Sequence, residues 1–190
     1  MSFESLGLPE YLLKTLTAES YAAPTPIQNL AIPRVLEGGD VIGVAQTGTG
    51  KTAAFALPII MQLNVELPDQ GNESLSKGAP QVLAIAPTRE LALQVAAAFK
   101  TYAKLSPRKI RVVTVIGGED LENQISALRR GIEVVVATPG RLLDLVERDQ
   151  IRLSSITTVV LDEADKLLDL GFADELDSLL KKLPKKRQNL

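Results

Sequence analysis

The sequence predicts an α/β domain, a parallel sheet with helices on both faces. Three observations carry this. Short apolar, β-branched runs recur along the chain. These runs are continuous rather than alternating, which is how strands covered on both faces read. Helical stretches separate them, and strand–helix alternation leads to parallel pairing because the crossover helices cover the sheet.

The elements follow in chain order. Two helices come first, around Pro9–Thr17 and Pro26–Leu36, and Pro33 is expected to kink or restart the second. The predicted strands are Val41–Ala45, Val82–Ala86, Val112–Ile116, Val134–Ala137 and Thr157–Leu161. Between them lie predicted helices at Lys51–Asn64, Arg89–Leu105, Leu121–Arg129 and Arg141–Glu147. Gly131, just past the third of these, suits a helix stop. Glu66–Pro80 is rich in Pro, Asp, Asn, Gly and Ser, and reads as a surface loop rather than a domain boundary.

Composition narrows the chemistry. With 190 residues, 45% hydrophobic and 23% charged, the chain reads as a single soluble domain able to bury a core. It has no cysteine and no histidine. Disulfides, thiolate metal sites, histidine-based hydrolase triads and most zinc sites are thereby excluded. No apolar run is long enough to span a membrane. The N-terminus lacks the regions of a signal peptide, so a cytoplasmic protein is expected. The net charge of −2 gives no support by itself for nucleic-acid binding. Lys181–Arg187 is a basic run that reads as a solvated turn.

Residues 45–52 read Ala-Gln-Thr-Gly-Thr-Gly-Lys-Thr, after a strand-like run and at the start of a helix. That is the context of a phosphate-binding loop. Gly48 and Gly50 let backbone N–H groups around Thr47 and Thr49 turn inward on an anion. The helix N-terminus adds unpaired donors and a positive dipole end. Lys51 can reach terminal phosphates, and the Thr52 hydroxyl can ligate Mg²⁺. Ala45 stands where the generic pattern has glycine. A second constellation is the strand-like run ending in Asp162-Glu163-Ala164-Asp165. Ligands of parallel sheets sit beyond the carboxyl ends of strands, so Asp162 is expected near the phosphate loop, holding Mg²⁺ through a water. Glu163 is the candidate to orient or deprotonate an attacking water. Taken alone, the same string also reads as an acidic helix start.

These motifs resemble the DEAD-box helicase family, in its order and spacing over nearly the whole chain. Pro24-Thr25-Pro26-Ile27-Gln28 resembles the adenine-sensing Q motif, and Phe3, 17 residues before Ser20, resembles the upstream aromatic that stacks on adenine. Pro87-Thr88-Arg89-Glu90-Leu91-Ala92 resembles motif Ia. Gly117-Gly118 resembles the family's GG element, and Thr138-Pro139-Gly140-Arg141 resembles the next RNA-contacting motif. The opening and closing segments look most like the bacterial RhlE-type subgroup. The resemblance implies a RecA-like domain that binds ATP and Mg²⁺, with RNA held at the last three motifs. It also implies that Lys51, Asp162 and Glu163 are catalytic and that Asp165 couples the domain to a second helicase domain. Residues 1–36 would be N-terminal helices with the Q motif, packed on the RecA-like domain of residues 37–190.

Each motif also has a physical reading. Thr25 and Gln28 fit a capping box with Pro26 at the first helical position. A Gln28 amide so held offers a donor and an acceptor, matching N6 and N7 of adenine but not guanine. Thr88 and Thr138 each follow a strand and begin a helix, suiting both helix capping and phosphate contact. Contact through hydroxyls and backbone amides needs little net positive charge and reads the RNA backbone without base specificity.

The chain stops at Leu190, where the family continues into a Ser-Ala-Thr strand and the second domain. That strand lies between the phosphate-loop strand and the Asp162 strand in the wider fold family. The expectation is that the gap closes, that residues near the end pair there, or that another chain fills it. Without arginines from the second domain, this fragment is expected to bind nucleotide weakly, hydrolyse it negligibly and unwind no RNA. Two other readings are a nucleotide-gated scaffold without essential hydrolysis, and an unrelated phosphate-loop GTPase or kinase. The intact Lys51, Thr52, Asp162 and Glu163 oppose the first. The second would need a guanine-reading motif or an acceptor lid, and neither is found.

Overall fold

The computed structural model describes residues 2–65 and 79–190. The predicted loop Glu66–Pro80 lies outside them except for its last two positions. The chain divides into two compact units, one of Met1–Gln70, Ala97–Ile110 and Gln188–Leu190, the other of Gly71–Ala96 and Arg111–Arg187.

The second unit holds a parallel sheet of β1 (Val82–Ile85), β2 (Val112–Val115), β3 (Val134–Ala137) and β4 (Thr158–Leu161). Their spatial order is β2-β3-β1-β4. The register is even. Ile85 lies opposite Ala137 and Leu161, and Val115 lies opposite Ala137. All four strands therefore end at one level, and whatever follows them emerges along one edge. Both faces of β1 and β3 are buried, β4 is buried up to its last residue, and the edge strand β2 is half-buried at Val113 and Thr114. Leu83, Ile85, Val115, Val135, Ala137 and Val159 join a core with Ile125 and Leu128 of α5 (Leu121–Arg129) and Leu142 and Leu145 of α6 (Pro139–Glu147). Leu167 of α7 (Ala164–Asp169) and Leu176 and Leu179 of α8 (Ala173–Lys181) complete it. On the other face Val82, Ala84, Val134, Val136 and Val160 are equally inaccessible. Burial on two faces is the physical reason for the continuous apolar runs. Helix α5 has the predicted bounds, and Gly131 follows it with φ +82°, as a helix stop requires. The short α7 and α8 were not among the predicted elements.

The first unit is built on α1 (Glu10–Ala18), α2 (Pro26–Leu36) and α3 (Lys51–Val65), with the last turns of α4 (Arg89–Tyr102). A 3-10 turn at Glu4–Leu6 precedes them. Helix α2 runs on through Pro33 as one element, so it does not restart there. The lost N–H bond is tolerated because Ile32 and Val35, on either side, are packed at 0% and 1% exposure.

The larger correction concerns Val41–Ala45, which forms no strand. Among the described residues, Val41 alone of this run makes a backbone–backbone hydrogen bond. The Val41 N–H donates to Asn189 O at 3.0 Å, and Asn189 N donates to Asp40 Oδ1 at 2.7 Å. Gln188 Nε2 donates to Val35 O and Gly39 O, anchoring β5 (Gln188–Asn189) to the end of α2. Residues near the chain's end do pair here, one of the three expected outcomes. Among the described residues no ladder continues past Val41, and Ile42 and Val44 stand 95% and 91% exposed. An apolar, β-branched run has strand propensity, but a strand exists only where a neighbour completes its hydrogen bonds.

Candidate functional site

In the first unit, the loop of residues 45–50 leads directly into α3 at Lys51. Gly48 and Gly50 have φ of +80° and +90°, the left-handed region that turns successive N–H groups inward. Thr49 Oγ1 donates to Gln46 O at 2.7 Å, closing the loop. The Lys51 ammonium folds over the loop and donates to Ala45 O at 2.7 Å. Lys51 and Thr52 are half-buried, whereas Thr47 and Gly48 are exposed. The loop thus presents backbone donors, one ammonium and one hydroxyl at a helix N-terminus, a donor set that fits a phosphate and its Mg²⁺. No cluster of three acidic side chains able to cage a metal occurs among the described residues. The Thr52 hydroxyl suits a Mg²⁺ that takes most of its ligands from phosphate and water.

The segment before α2 reaches the same loop. Gln28 is fully buried. Its Oε1 accepts from Thr25 N at 2.9 Å, the hydrogen-bonded half of the expected capping box. The Thr25 hydroxyl occupies the other half at a geometry short of a hydrogen bond. Gln28 Nε2 donates to Gly50 O at 3.1 Å. Both ends of the amide are therefore taken by backbone, and reading a base edge would require it to exchange one of these partners. A Cβ on Gly50 would collide with this amide, so glycine is needed there for space as well as for φ. Phe3 is 6% exposed and meets Tyr21 edge-on, with centroids 6.4 Å apart. Tyr21 is the accessible ring of this pair, and its hydroxyl bonds that of Tyr102 at 2.8 Å. Sequence reading missed Tyr21 and Tyr102, because only the fold pairs residues so far apart.

In the second unit, the even register gathers the remaining motifs along one edge. Ladder bonds continue one step past the strands, with Ala86 N donating to Ala137 O, Thr138 N to Val115 O and Asp162 N to Ile85 O. Pro87-Thr88-Arg89, Gly117-Gly118, Thr138 and Asp162 thus leave the sheet side by side. Thr88 caps α4, its Oγ1 accepting from Leu91 N at 3.2 Å. Thr138 occupies the matching position at α6 without a side-chain cap bond. Pro139 is buried at the first turn of α6, while Gly140 is exposed and Arg141 half-buried. Arg141 donates to Glu119 O at 3.3 Å, and the Arg89 guanidinium lies against Gly118.

Asp162 follows β4 directly, and Glu163 begins α7 in a left-handed conformation, φ +50° and ψ +53°. That conformation is strained for a residue with a Cβ. The Glu163 side chain is 8% exposed and its Oε2 pairs with Lys166 Nζ at 2.7 Å. The hydrogen bond to Glu163 raises the Lys166 ammonium above its usual range. Asp165 is exposed in the first turn of α7. The string is therefore both a carboxylate pair at a strand end and an acidic helix start, the two readings open at sequence level.

The comparisons with known proteins agree with this architecture. A family model described as DEAD/DEAH box helicase matches residues 25–190. The chain is 46% identical over 187 residues to the ATP-dependent RNA helicase DeaD of Buchnera aphidicola subsp. Schizaphis graminum, covering 98% of this chain and 29% of the relative. It is 44% identical to the DeaD helicase of Escherichia coli K12, covering 98% and 28%. It is 42% identical to the DEAD-box helicase CshA of Geobacillus kaustophilus, covering 100% and 38%. The chain spans about a third of the length of these relatives. With the fold, the phosphate loop and the family match in agreement, the chain belongs to the DEAD/DEAH box helicase family.

Proposed function

We propose that this chain is the ATP-binding first core domain of an ATP-dependent RNA helicase that acts in the cytoplasm. The observation that carries the proposal is the bond from Gln28 to Gly50, which ties the candidate base-reading amide to the candidate phosphate loop. In this reading Phe3, Thr25 and Gln28 select adenine, and Thr47, Gly48, Thr49, Gly50, Lys51 and Thr52 hold the phosphates. Thr52 would ligate Mg²⁺ directly and Asp162 through a water. Bound Mg²⁺ would offset charge on the phosphates. Glu163 would orient or deprotonate the attacking water, once its side chain leaves Lys166.

Pro87, Thr88, Arg89, Gly117, Gly118, Thr138, Pro139, Gly140 and Arg141 would contact the RNA backbone. Support comes from their shared edge and from Gly140. A Cβ there would meet no atom within 4 Å, although glycine in a helix costs up to about 1 kcal/mol. Among the described residues nothing crowds that position, which leaves room for a ligand backbone to approach. Asp165 would couple to a second helicase domain in the longer protein. Residues 1–36 and 37–190 are proposed to act as one RecA-like domain. The finer RhlE-type likeness rests on the opening and closing segments, whereas the relatives above carry the names DeaD and CshA.

On this account the 190-residue chain binds adenine nucleotide weakly and hydrolyses it negligibly, since the arginines that stabilise the transferring phosphoryl group belong to another domain. Nucleotide competition tests the assignment. ATP and ADP should displace a labelled adenine nucleotide while GTP should not, and equal displacement by GTP would remove Gln28 from its role.

A further inference from the structure

We infer that Gln124 is a positioning residue for the Gly117-Gly118 turn and, through it, for polynucleotide binding; this deepens the RNA reading and rests on it. Gln124 lies on α5, on the face shared with Ile125 and Leu128, and is only 4% exposed. A polar side chain buried that far needs partners. Both are on one residue. Gln124 Oε1 accepts from Ile116 N at 3.1 Å, and its Nε2 donates to Ile116 O at 3.0 Å.

This is one rung of a sheet ladder supplied by a side chain. Strand β2 ends at Val115, whose carbonyl takes Thr138 N, and Ile116 is wholly buried beyond the last strand pair. Its N–H and C=O have left the ladder and would be orphaned without the Gln124 amide. The amide thereby fixes the point where the chain turns out of the sheet. The next two residues are Gly117 and Gly118.

The turn is held from two further helices. The Arg89 guanidinium lies against Gly118, whose φ of +76° already disfavours any side chain. Arg141 donates to Glu119 O. Arg89, Gly117, Gly118 and Arg141 are all proposed RNA contacts, so the turn sits within the proposed surface. Gly117 itself is free of such constraints, since a Cβ there would meet nothing within 4 Å. A turn with open space over Gly117 and a fixed exit at Ile116 is suited to present backbone N–H groups to a phosphate. Gln124 touches no ligand in this account. It acts by holding Ile116.

The geometry makes the side chain's length and both its ends necessary. Gln124→Glu keeps the acceptor for Ile116 N but sets an oxygen against Ile116 O. Gln124→Met keeps the volume and loses both bonds.

The test measures two affinities on the full-length protein: a labelled oligouridylate with a non-hydrolysable ATP analogue present, and labelled ADP alone. With Gln124→Met, RNA affinity should fall about tenfold, the equivalent of one net hydrogen bond, while ADP affinity stays within twofold of the unsubstituted protein. Gln124→Glu should fall between the two. A merely structural role would lower both affinities together or neither, so an unchanged ratio of RNA to ADP affinity would overturn the inference and leave the RNA reading standing. If the unsubstituted protein bound no oligouridylate while binding ADP, the RNA reading itself would fail and this inference with it. Hydrogen exchange on the unsubstituted chain needs no variant. The Ile116 amide should be protected to the level of the β2 core, and free exchange there would overturn the clasp directly.

Discussion

Gln28 and Gln124 share a design, a buried amide whose two ends are bonded to backbone. Removing such a group leaves buried partners unsatisfied. Gln28→Ala should therefore destabilise the first unit by about 1–3 kcal/mol in denaturant unfolding, and should also narrow any preference for ATP over GTP. Loss of stability with preference intact would make Gln28 a cap alone. Gln28 was legible from sequence because its spacing from Thr25 has a name in helix capping. Gln124 was not, although it interrupts the apolar face of α5 at the spacing of Leu121 and Leu128, and such an interruption is the signal that could have found it. Tyr102 offers a pH test. Burial, and then the Tyr21 hydroxyl, hold its proton above the ordinary tyrosine value of 10.0. A group whose folded-state value is raised gives stability that is complete below pH 10.0 and lost as pH climbs beyond it. The alkaline limb of unfolding should flatten in Tyr102→Phe.

At the scale of elements, the strands at 82, 112, 134 and 158 were readable because two-sided burial forces continuous apolar runs. The run at 41–45 has the same composition and is not a strand, because composition states a preference and pairing decides it. Helix ends were readable where a cap is chemical. Thr88, read as a cap, starts α4, whereas Asp120, whose Oδ1 accepts from Asn123 N to start α5, was not read as one. Thr88→Ala should cost about 1 kcal/mol in thermal or denaturant unfolding, and RNA affinity should drop with it if the hydroxyl also meets phosphate. The helix at 164 was half-hidden, since Asp-Glu-Ala-Asp serves both as a strand-end carboxylate pair and as its first turn. Its Glu163 carries the strained φ and the ion pair with Lys166. If the proposed function holds, Glu163→Gln in the full-length protein should leave nucleotide binding intact and stall ATP turnover, trapping a closed nucleotide-bound state. Normal turnover would remove Glu163 as the base.

At the scale of the molecule, the chain supplies a phosphate loop in one compact unit and an edge of strand-end motifs in the other. Family membership was legible from the order of those motifs, because each meets a separate physical need and their coincidence in sequence is specific. The pairing of the chain's last residues with Val41 was legible only as one of three outcomes, since strand partners are a property of the fold. On the proposed function, the loop at residues 45–52 holds an adenine nucleotide. Calorimetric titration of the 190-residue chain with ADP, with GDP, and of Lys51→Ala with ADP, tests it most directly. Measurable ADP binding, no measurable GDP binding, and loss of ADP binding in Lys51→Ala with the fold retained are expected. Equal affinity for ADP and GDP, or undiminished ADP binding in Lys51→Ala, would contradict it.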